Sequence, residues 1–448
     1  MPFSSINFVF LLPILLMVYW ALPDSLKRFW LLVGSIVVYM AAGWQDLALL
    51  VTLTGLNWLS HRLLPDSPWT RRTMIVVNIL FLGWFKYRFF LADAVGLQRG
   101  PGDLIIPLGI SFYVFQLISY QVEILKGVLT QTPSFFAFFL YIFFFPHHQA
   151  GPIMRPHAFL GAFLHGRRWH LGRFKIGLII FTWGLFKKVW IADFLLGDRV
   201  RELYQALGQS HGATGSVWLL AVTYGIQIYA DFSGYSDIAV GVGRMFGFKL
   251  DRNFHQPYLA VGPSQFWRRW HITLSAWLRD TIYIPLGGNR HGKGRARANL
   301  MIVMLVGGLW HGAGWAFLLW GFLHGAYLIL EQWTAPVLDR VKPVKFILFQ
   351  LLFMLAWIPF RENNIHTVLN LFSRPSAWIG WEALVAGAWL AAILAFSWAE
   401  DAIERRFIRL VRWTYRLPEP VLVPAYSFLL YMILSGVRYE TTFIYQRF

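Results

Sequence analysis

Apolar segments close to the width of a bilayer recur from one end of this 448-residue chain to the other, and no other feature limits its fold so strongly. They lie near 6–22, 29–43, 47–60, 73–92, 104–125, 134–150, 174–196, 216–232, 300–330, 346–360, 380–399 and 420–437. Each approaches the ~20 residues that a spanning helix requires, and several are short enough to need tilt or a re-entrant path. Only 14% of the residues are charged, where a soluble domain carries roughly a quarter. The pattern predicts an all-α polytopic membrane protein of about ten to twelve tilted and re-entrant helices. No repeat or low-complexity linker divides the chain, so 1–448 is read as one domain. The run at 6–22 is expected to be the first span, because no basic flank precedes it and Pro23-Asp24 is unlike a signal-cleavage site.

The net charge of +18 does not indicate nucleic acid. Its basic residues gather between the apolar segments, around 62–72, 167–175, 290–297, 340–345 and 405–416. That is the distribution of cytoplasmic loops held by anionic headgroups, and it predicts a multi-pass membrane protein whose main surroundings are lipid. There is no cysteine, which excludes disulfides, thiolate metal sites and a cysteine nucleophile. His147 and His148 are adjacent and have no further ligands at suitable spacing, so no metal site is expected.

The stretch 231–299 is too polar for ordinary spans and too aromatic for a solvated loop. Ser264 offers a helix N-cap, and the periodicity that follows predicts an interfacial helix near 264–279. On that helix Trp267, Trp270, His271, Leu274, Trp277 and Leu278 share a face, with Arg268 elsewhere. His271 is thereby placed on the apolar side, an unusual position for an imidazole without a task.

Between 300 and 330 there is no Lys, Arg, Asp or Glu, yet His311 and His324 are embedded there. His311 is flanked by Gly307, Gly308, Gly312 and Gly314, which predicts a helix break or a tight crossing. Gly308 and Gly312, like Gly321 and Gly325, are spaced as small-residue packing faces. Ionisable groups at such depth usually line a cavity or take part in chemistry. An uncharged imidazole suits general-base catalysis on a hydroxyl, and His311 is the candidate. His271, Asn253 or backbone amides of the glycine cluster are candidates to stabilise the oxyanion. His324, assigned to another helical face, is expected to be structural.

Several of these pieces together resemble the membrane-bound O-acyltransferase family, in its bacterial alginate O-acetylase branch. The resemblance is densest over 229–327. It rests on Tyr229-Ala230-Asp231-Phe232-Ser233-Gly234-Tyr235-Ser236-Asp237, Asn253-Phe254, Phe266-Trp267-Arg268-Arg269-Trp270-His271, Tyr283-Ile284-Pro285-Leu286-Gly287-Gly288 and Gly308-Leu309-Trp310-His311-Gly312. Pro107-Leu108-Gly109, Ala150-Gly151-Pro152 and the closing Phe443-Ile444-Tyr445 extend it. Gln265, Thr281 and His147-His148-Gln149 depart from the branch pattern and leave the polymer open.

The resemblance implies a ring of helices around a central funnel in a bacterial inner membrane, with His311 and His271 as the catalytic pair. Asp231, Ser233, Tyr235, Asp237, Asn253, Trp267, Arg268 and Trp310 are then expected to line or brace the funnel, the carboxylates paired with Arg244, Arg268 or Arg269. The implied activity passes acetyl from a cytoplasmic thioester, acetyl-CoA, across the membrane for O-acetylation of an exported polysaccharide of the alginate type, with no resident cofactor. No Gly-x-Ser-x-Gly elbow is present. The resemblance implies a periplasmic SGNH-type O-acetyltransferase, working with polysaccharide export machinery, as the partner. Acetylation of cellulose or peptidoglycan and D-alanylation of teichoic acid are alternatives within the family. A transporter is the alternative outside it, and the paired broken helices of inverted repeats are not seen.

Overall fold

The computed structural model describes residues 3, 5–97, 106–148, 151–163, 168–209, 217–362, 364–373 and 381–414, together with positions 420, 427 and 431. Apart from those three positions, the apolar run at 420–437 lies outside the described residues, as do the motif at 443–445 and residues Gln149 and Ala150. Every regular element among the described residues is helical, as the all-α expectation requires. The chain divides into two compact units, Met1–Trp183 with Tyr235–Asp251, and Gly184–Gly234 with Arg252–Phe448.

The distribution of polarity is that of a protein dissolved in lipid. Phe10, Met17, Trp69, Leu80, Leu384 and Trp398 are all more than 60% exposed, while Arg71, Asn57, Asn78, Lys188 and Asp231 are buried. In water this arrangement would expose an aggregating surface; in hydrocarbon it satisfies both solvents. Among the described residues, three helices are long and apolar enough to cross a bilayer on those criteria alone: Pro68–Ala94, Lys342–Arg361 and Ala383–Arg406. Asn7–Ala21 and Ile110–Leu125 are shorter apolar helices.

In the first unit, Ile6–Ala21, Asp24–Met40, Trp44–Leu63, Pro68–Leu82 and Ile110–Leu125 are the principal helices. Pro68–Leu82 starts where its sequence specifies: Ser67 accepts from the Thr70 amide at 3.2 Å, and Pro68 occupies the first turn. Ile110–Leu125 is buried along nearly its whole length. A polar cluster joins it to its neighbours. Asn57 and Asn78 exchange side-chain amide hydrogen bonds at 2.9 and 3.0 Å, and Gln121 Nε2 donates to Asn57 Oδ1 at 3.0 Å. Arg71 donates to Gln121 Oε1 at 3.2 Å and to the Ser60 carbonyl at 3.0 Å. With lipid outside there is little hydrophobic drive between helices, so such bonds and close packing hold them. Gln121→Leu removes an acceptor from the buried Arg71 guanidinium and a donor from Asn57. It is expected to lower stability by about 1–3 kcal/mol, read as a fall in the thermal midpoint in detergent. An unchanged midpoint would show the cluster to be dispensable.

The second unit opens with the end of the helix Leu171–Leu185, which gives way to a wider π-helical stretch at Phe186–Leu195. Inserted turns of this kind frequently mark functional positions. Here the stretch brings Lys188 to within 2.8 Å of Asp193 and 2.7 Å of Asp231, all three side chains about 1% exposed. Lys187 meets Glu400 at 3.1 Å, and Tyr229 donates to the same carboxylate at 2.7 Å. The apolar run read as 216–232 continues without interruption as the helix Val217–Met245, which carries the Asp231–Asp237 segment inside it. The arginine pairing expected for Asp231 is corrected: its cation is Lys188. Sequence spacing could not have found it, because the two residues are 43 positions apart and meet only through the π-helical insertion.

Candidate active site

The predicted interfacial helix near 264–279 is not continuous. It is two short helices, Pro263–Trp267 and Ile272–Leu278, separated at Arg268–His271. Gly262, not Ser264, caps the first; Pro263 follows in the first turn. The Ser264 amide and hydroxyl instead donate to Glu331 Oε2, at 2.9 and 2.5 Å, and Lys345 holds the other oxygen of that carboxylate at 2.9 Å.

The break is built around His271. Its backbone is left-handed, with φ +40° and ψ +55°, an arrangement that costs a residue with a Cβ about 1 kcal/mol or more. The segment Asn253–Gln256 holds it there. His255 N donates to Arg269 O at 3.0 Å, and Ile272 N donates to Asn253 O at 2.9 Å, so the break is laced on both sides. Asn253 Oδ1 accepts from Thr273 Oγ1 at 2.6 Å, and Gln256, also left-handed at φ +38°, donates to Glu404 at 2.8 Å. The imidazole is consequently not on the apolar face of a helix, as periodicity suggested. It projects from a strained joint and is fully buried.

The second break is the expected one. Gly292–His311 ends at His311, and Trp315–Leu338 begins after Gly314. Gly312 has an extended backbone, so its requirement for glycine is not one of backbone conformation. It comes from crowding. A Cβ on Gly308 would collide with the Phe317 carbonyl oxygen, one on Gly312 with the Phe317 ring, and one on Gly321 with the Met304 carbonyl oxygen. The two helices cross at near backbone contact, as the small-residue spacing predicted.

The histidines are joined by rings. His271 lies 5.6 Å from Trp310, ring centre to ring centre, and Trp310 lies 4.8 Å from His311. Phe232 packs against His271 at 4.7 Å, and Phe360 against His311 at 5.1 Å. Trp320 lies 5.0 Å from His311 and 4.6 Å from His324. Sequence reading missed Phe232's contact, Trp320 and Phe360, and it placed His324, expected to be structural, away from this cluster. For His324 the reason is plain: angular spacing along one helix has no meaning across the break at 312–314, and Trp320 brings the two imidazoles into one cluster. A search for aromatic residues facing the same break would have found Trp320.

The remaining predicted residues separate. Trp310 is buried between the two histidines, and Asn253 is buried at the His271 joint, bonded to Thr273. Trp267 joins through Trp320, at 5.8 Å. Arg268 is exposed. Ser233 and Asp231 are buried in the second unit, whereas Tyr235, stacked on Phe3 at 5.0 Å, and Asp237 belong to the first. His147 Nε2 and His148 Nδ1 bond the carbonyls of Tyr141 and Ile142. Among the described residues no group of three or more His, Asp or Glu is arranged to hold a metal.

Two buried imidazoles separated by one indole, at the joints of broken helices, form a site able to take a proton and to offer hydrogen bonds where water is scarce. Residues 67–358, which include both histidines, match the family described as membrane-bound O-acyltransferase, and the chain belongs to that family. It is a membrane protein and an acyltransferase. Over 405 residues it is 37% identical to the protein of Azotobacter vinelandii named probable alginate O-acetylase AlgI, an alignment covering 85% of this chain and 79% of that one. It is 33% identical to the peptidoglycan O-acetyltransferase of Helicobacter pylori, covering 82% and 78% of the two chains. Its identity to the teichoic acid D-alanyltransferase of Bacillus subtilis is 26%, covering 74% and 89%.

Proposed function

We propose that this acyltransferase resides in a bacterial inner membrane, takes acetyl from a cytoplasmic thioester, acetyl-CoA, and passes it across the membrane for O-acetylation of an exported polysaccharide of the alginate type. The observation that carries the reading is the His271–Trp310–His311 ring cluster at two helix breaks, in a chain 37% identical to a protein named probable alginate O-acetylase. His311 is the general base: it takes the proton of the attacking hydroxyl as that oxygen bonds to the thioester carbonyl carbon. The carbon–sulfur bond then breaks, and the same proton goes to the departing thiolate. Asn253 supports the oxyanion. Its Oδ1 is engaged by Thr273, while its buried Nδ2 has no protein acceptor and so remains available as a donor. The buried joint at His271 supports a role in the same cluster.

The acceptor beyond the membrane is a periplasmic SGNH-type O-acetyltransferase whose serine carries the acetyl onward to polymer at the export machinery. Acetylation is preferred over D-alanyl transfer because the relatives named probable alginate O-acetylase and peptidoglycan O-acetyltransferase are 37% and 33% identical and the one named teichoic acid D-alanyltransferase 26%. The test is acetyl-CoA consumption by the purified chain reconstituted in vesicles with its partner, beside the ester content of exported polysaccharide from cells with and without the chain. Unchanged polymer acetylation, or no consumption of acetyl-CoA, would overturn the proposal.

The strained backbone separates the role of the His271 ring from its role in folding. Substituting alanine at a helix-associated position is usually milder than substituting glycine, by roughly 0.5–1 kcal/mol. At φ +40° the order should reverse, with His271→Gly more stable than His271→Ala by about 1 kcal/mol. Both variants are expected to lose turnover to a similar degree while retaining donor binding. Thermal midpoints, kcat and a donor-binding isotherm on the same preparations check this.

A further inference from the structure

Beyond His311, the same ring cluster contains polar atoms that the mechanism above does not use. Trp267, Trp320 and His324 form a triangle of rings, with centroid separations of 5.8 Å between the indoles and 5.1 and 4.6 Å from His324 to Trp267 and Trp320. Trp320 and His324 are each 1% exposed. Trp267 is half-buried, but its Nε1 is covered. Neither indole Nε1, nor His324 Nε2, has a hydrogen-bond partner in the protein. Phe353 closes one side, 5.3 Å from His324.

Each such atom is costly to leave unmet in an apolar interior, and buried polar groups nearly always have partners. An indole N–H only donates, whereas a neutral imidazole nitrogen donates or accepts according to its tautomer. A triangle with two obligate donors therefore calls for an acceptor, and an oxygen atom is the natural occupant. Its place in the fold is specific: Trp320, one corner of the triangle, is also in ring contact with His311. A purely structural cluster gains nothing from nitrogen at three positions where phenyl rings would pack without desolvation cost.

We propose that Trp267, Trp320 and His324 form an oxygen-binding subsite beside His311 that receives a carbonyl or hydroxyl oxygen of the acyl donor or of the accepting molecule. The inference rests on the acyltransfer reading above. Substrate oxygen supplies the missing acceptor, and His324 positions the substrate by that bond.

His324→Phe and Trp267→Phe keep a ring and remove the nitrogen. Steady-state turnover of acetyl-CoA by the reconstituted chain, at varied donor and varied acceptor, gives KM for each. His324→Phe is expected to raise one of the two KM values about tenfold, the worth of one net hydrogen bond, with a smaller fall in kcat. Trp267→Phe should raise the same KM, and His324→Gln, which keeps a hydrogen-bonding end, should restore it towards the parent value. The KM that moves identifies whether the oxygen belongs to donor or acceptor. The thermal midpoint of His324→Phe is expected to hold or rise, since an unmet polar atom has been removed. If both KM values stay at the parent level in both phenylalanine variants, the subsite holds water only and the inference is overturned. Loss of thermal stability in proportion to the KM change, without recovery in His324→Gln, would overturn it equally. Those outcomes are distinct from failure of the acyltransfer reading, in which the parent itself consumes no thioester. The inference would fall with it.

Discussion

His311→Ala is expected to lower acetyl-CoA consumption by two to four orders of magnitude, the range attributable to a positioned general acid–base group. The effect should fall on kcat more than on KM, because the proton moves in the transition state and a bound donor does not need it. Folding should survive. His311 closes the helix Gly292–His311, and the crossing of that helix with Trp315–Leu338 is held by the glycine contacts at Gly308 and Gly321, which alanine at 311 does not touch. Removing the ring opens a space among Trp310, Trp320 and Phe360, at a cost of about 1–3 kcal/mol. The decisive comparison is between parent and variant preparations with the same elution profile and a measured midpoint, assayed with the partner present. Turnover equal to the parent in a folded variant would remove His311 from the chemistry and with it the mechanism proposed above.

Lys188→Met should have the largest effect on stability. Lys188 stands between Asp193 and Asp231 with all three side chains almost completely enclosed, so its loss takes one buried cation from both carboxylates. Breaking a buried ion pair by removing one member typically costs about 3–5 kcal/mol, because the remaining charge keeps its desolvation cost. Poor accumulation of folded protein, or a strongly reduced midpoint in detergent, is expected. Asp231→Asn combined with Lys188→Met removes one of the two buried carboxylate charges and should recover part of the loss. The residue after Asp231 is Phe232, whose ring packs on His271. Any variant that folds is therefore expected to show reduced turnover as well. A single Lys188→Met variant as stable as the parent would show that the triad is dispensable.

The amino-acid sequence alone determined the solvent, the class of fold and the main candidate. Long uncharged apolar runs admit helices in lipid and little else, because hydrocarbon leaves no partner for an open backbone. The glycines around His311 announced the break at 312–314, since their spacing and small size are properties of the chain itself. His311, His271, Asn253 and Trp310 were all legible as candidates, and the structure brings them together around the two joints. The family followed from motifs dispersed over the chain, and residues 67–358 match it.

Tertiary structure decided what periodicity could not. The run 264–279 reads as one amphipathic helix because each of its halves has helical spacing; only the backbone bonds from Asn253 and His255 to Ile272 and Arg269 divide it and hold His271 at positive φ. The partner of Asp231 is a lysine 43 positions away that reaches it through a π-helical insertion, a local widening that no residue spacing encodes. His324 was assigned to another face by counting along a helix that ends at His311, and the ring of Trp320 joins the two imidazoles across the break. Side-chain spacing along the chain reports faces only while the backbone stays regular. At each of these three places it does not, and contacts distant in sequence fix the arrangement.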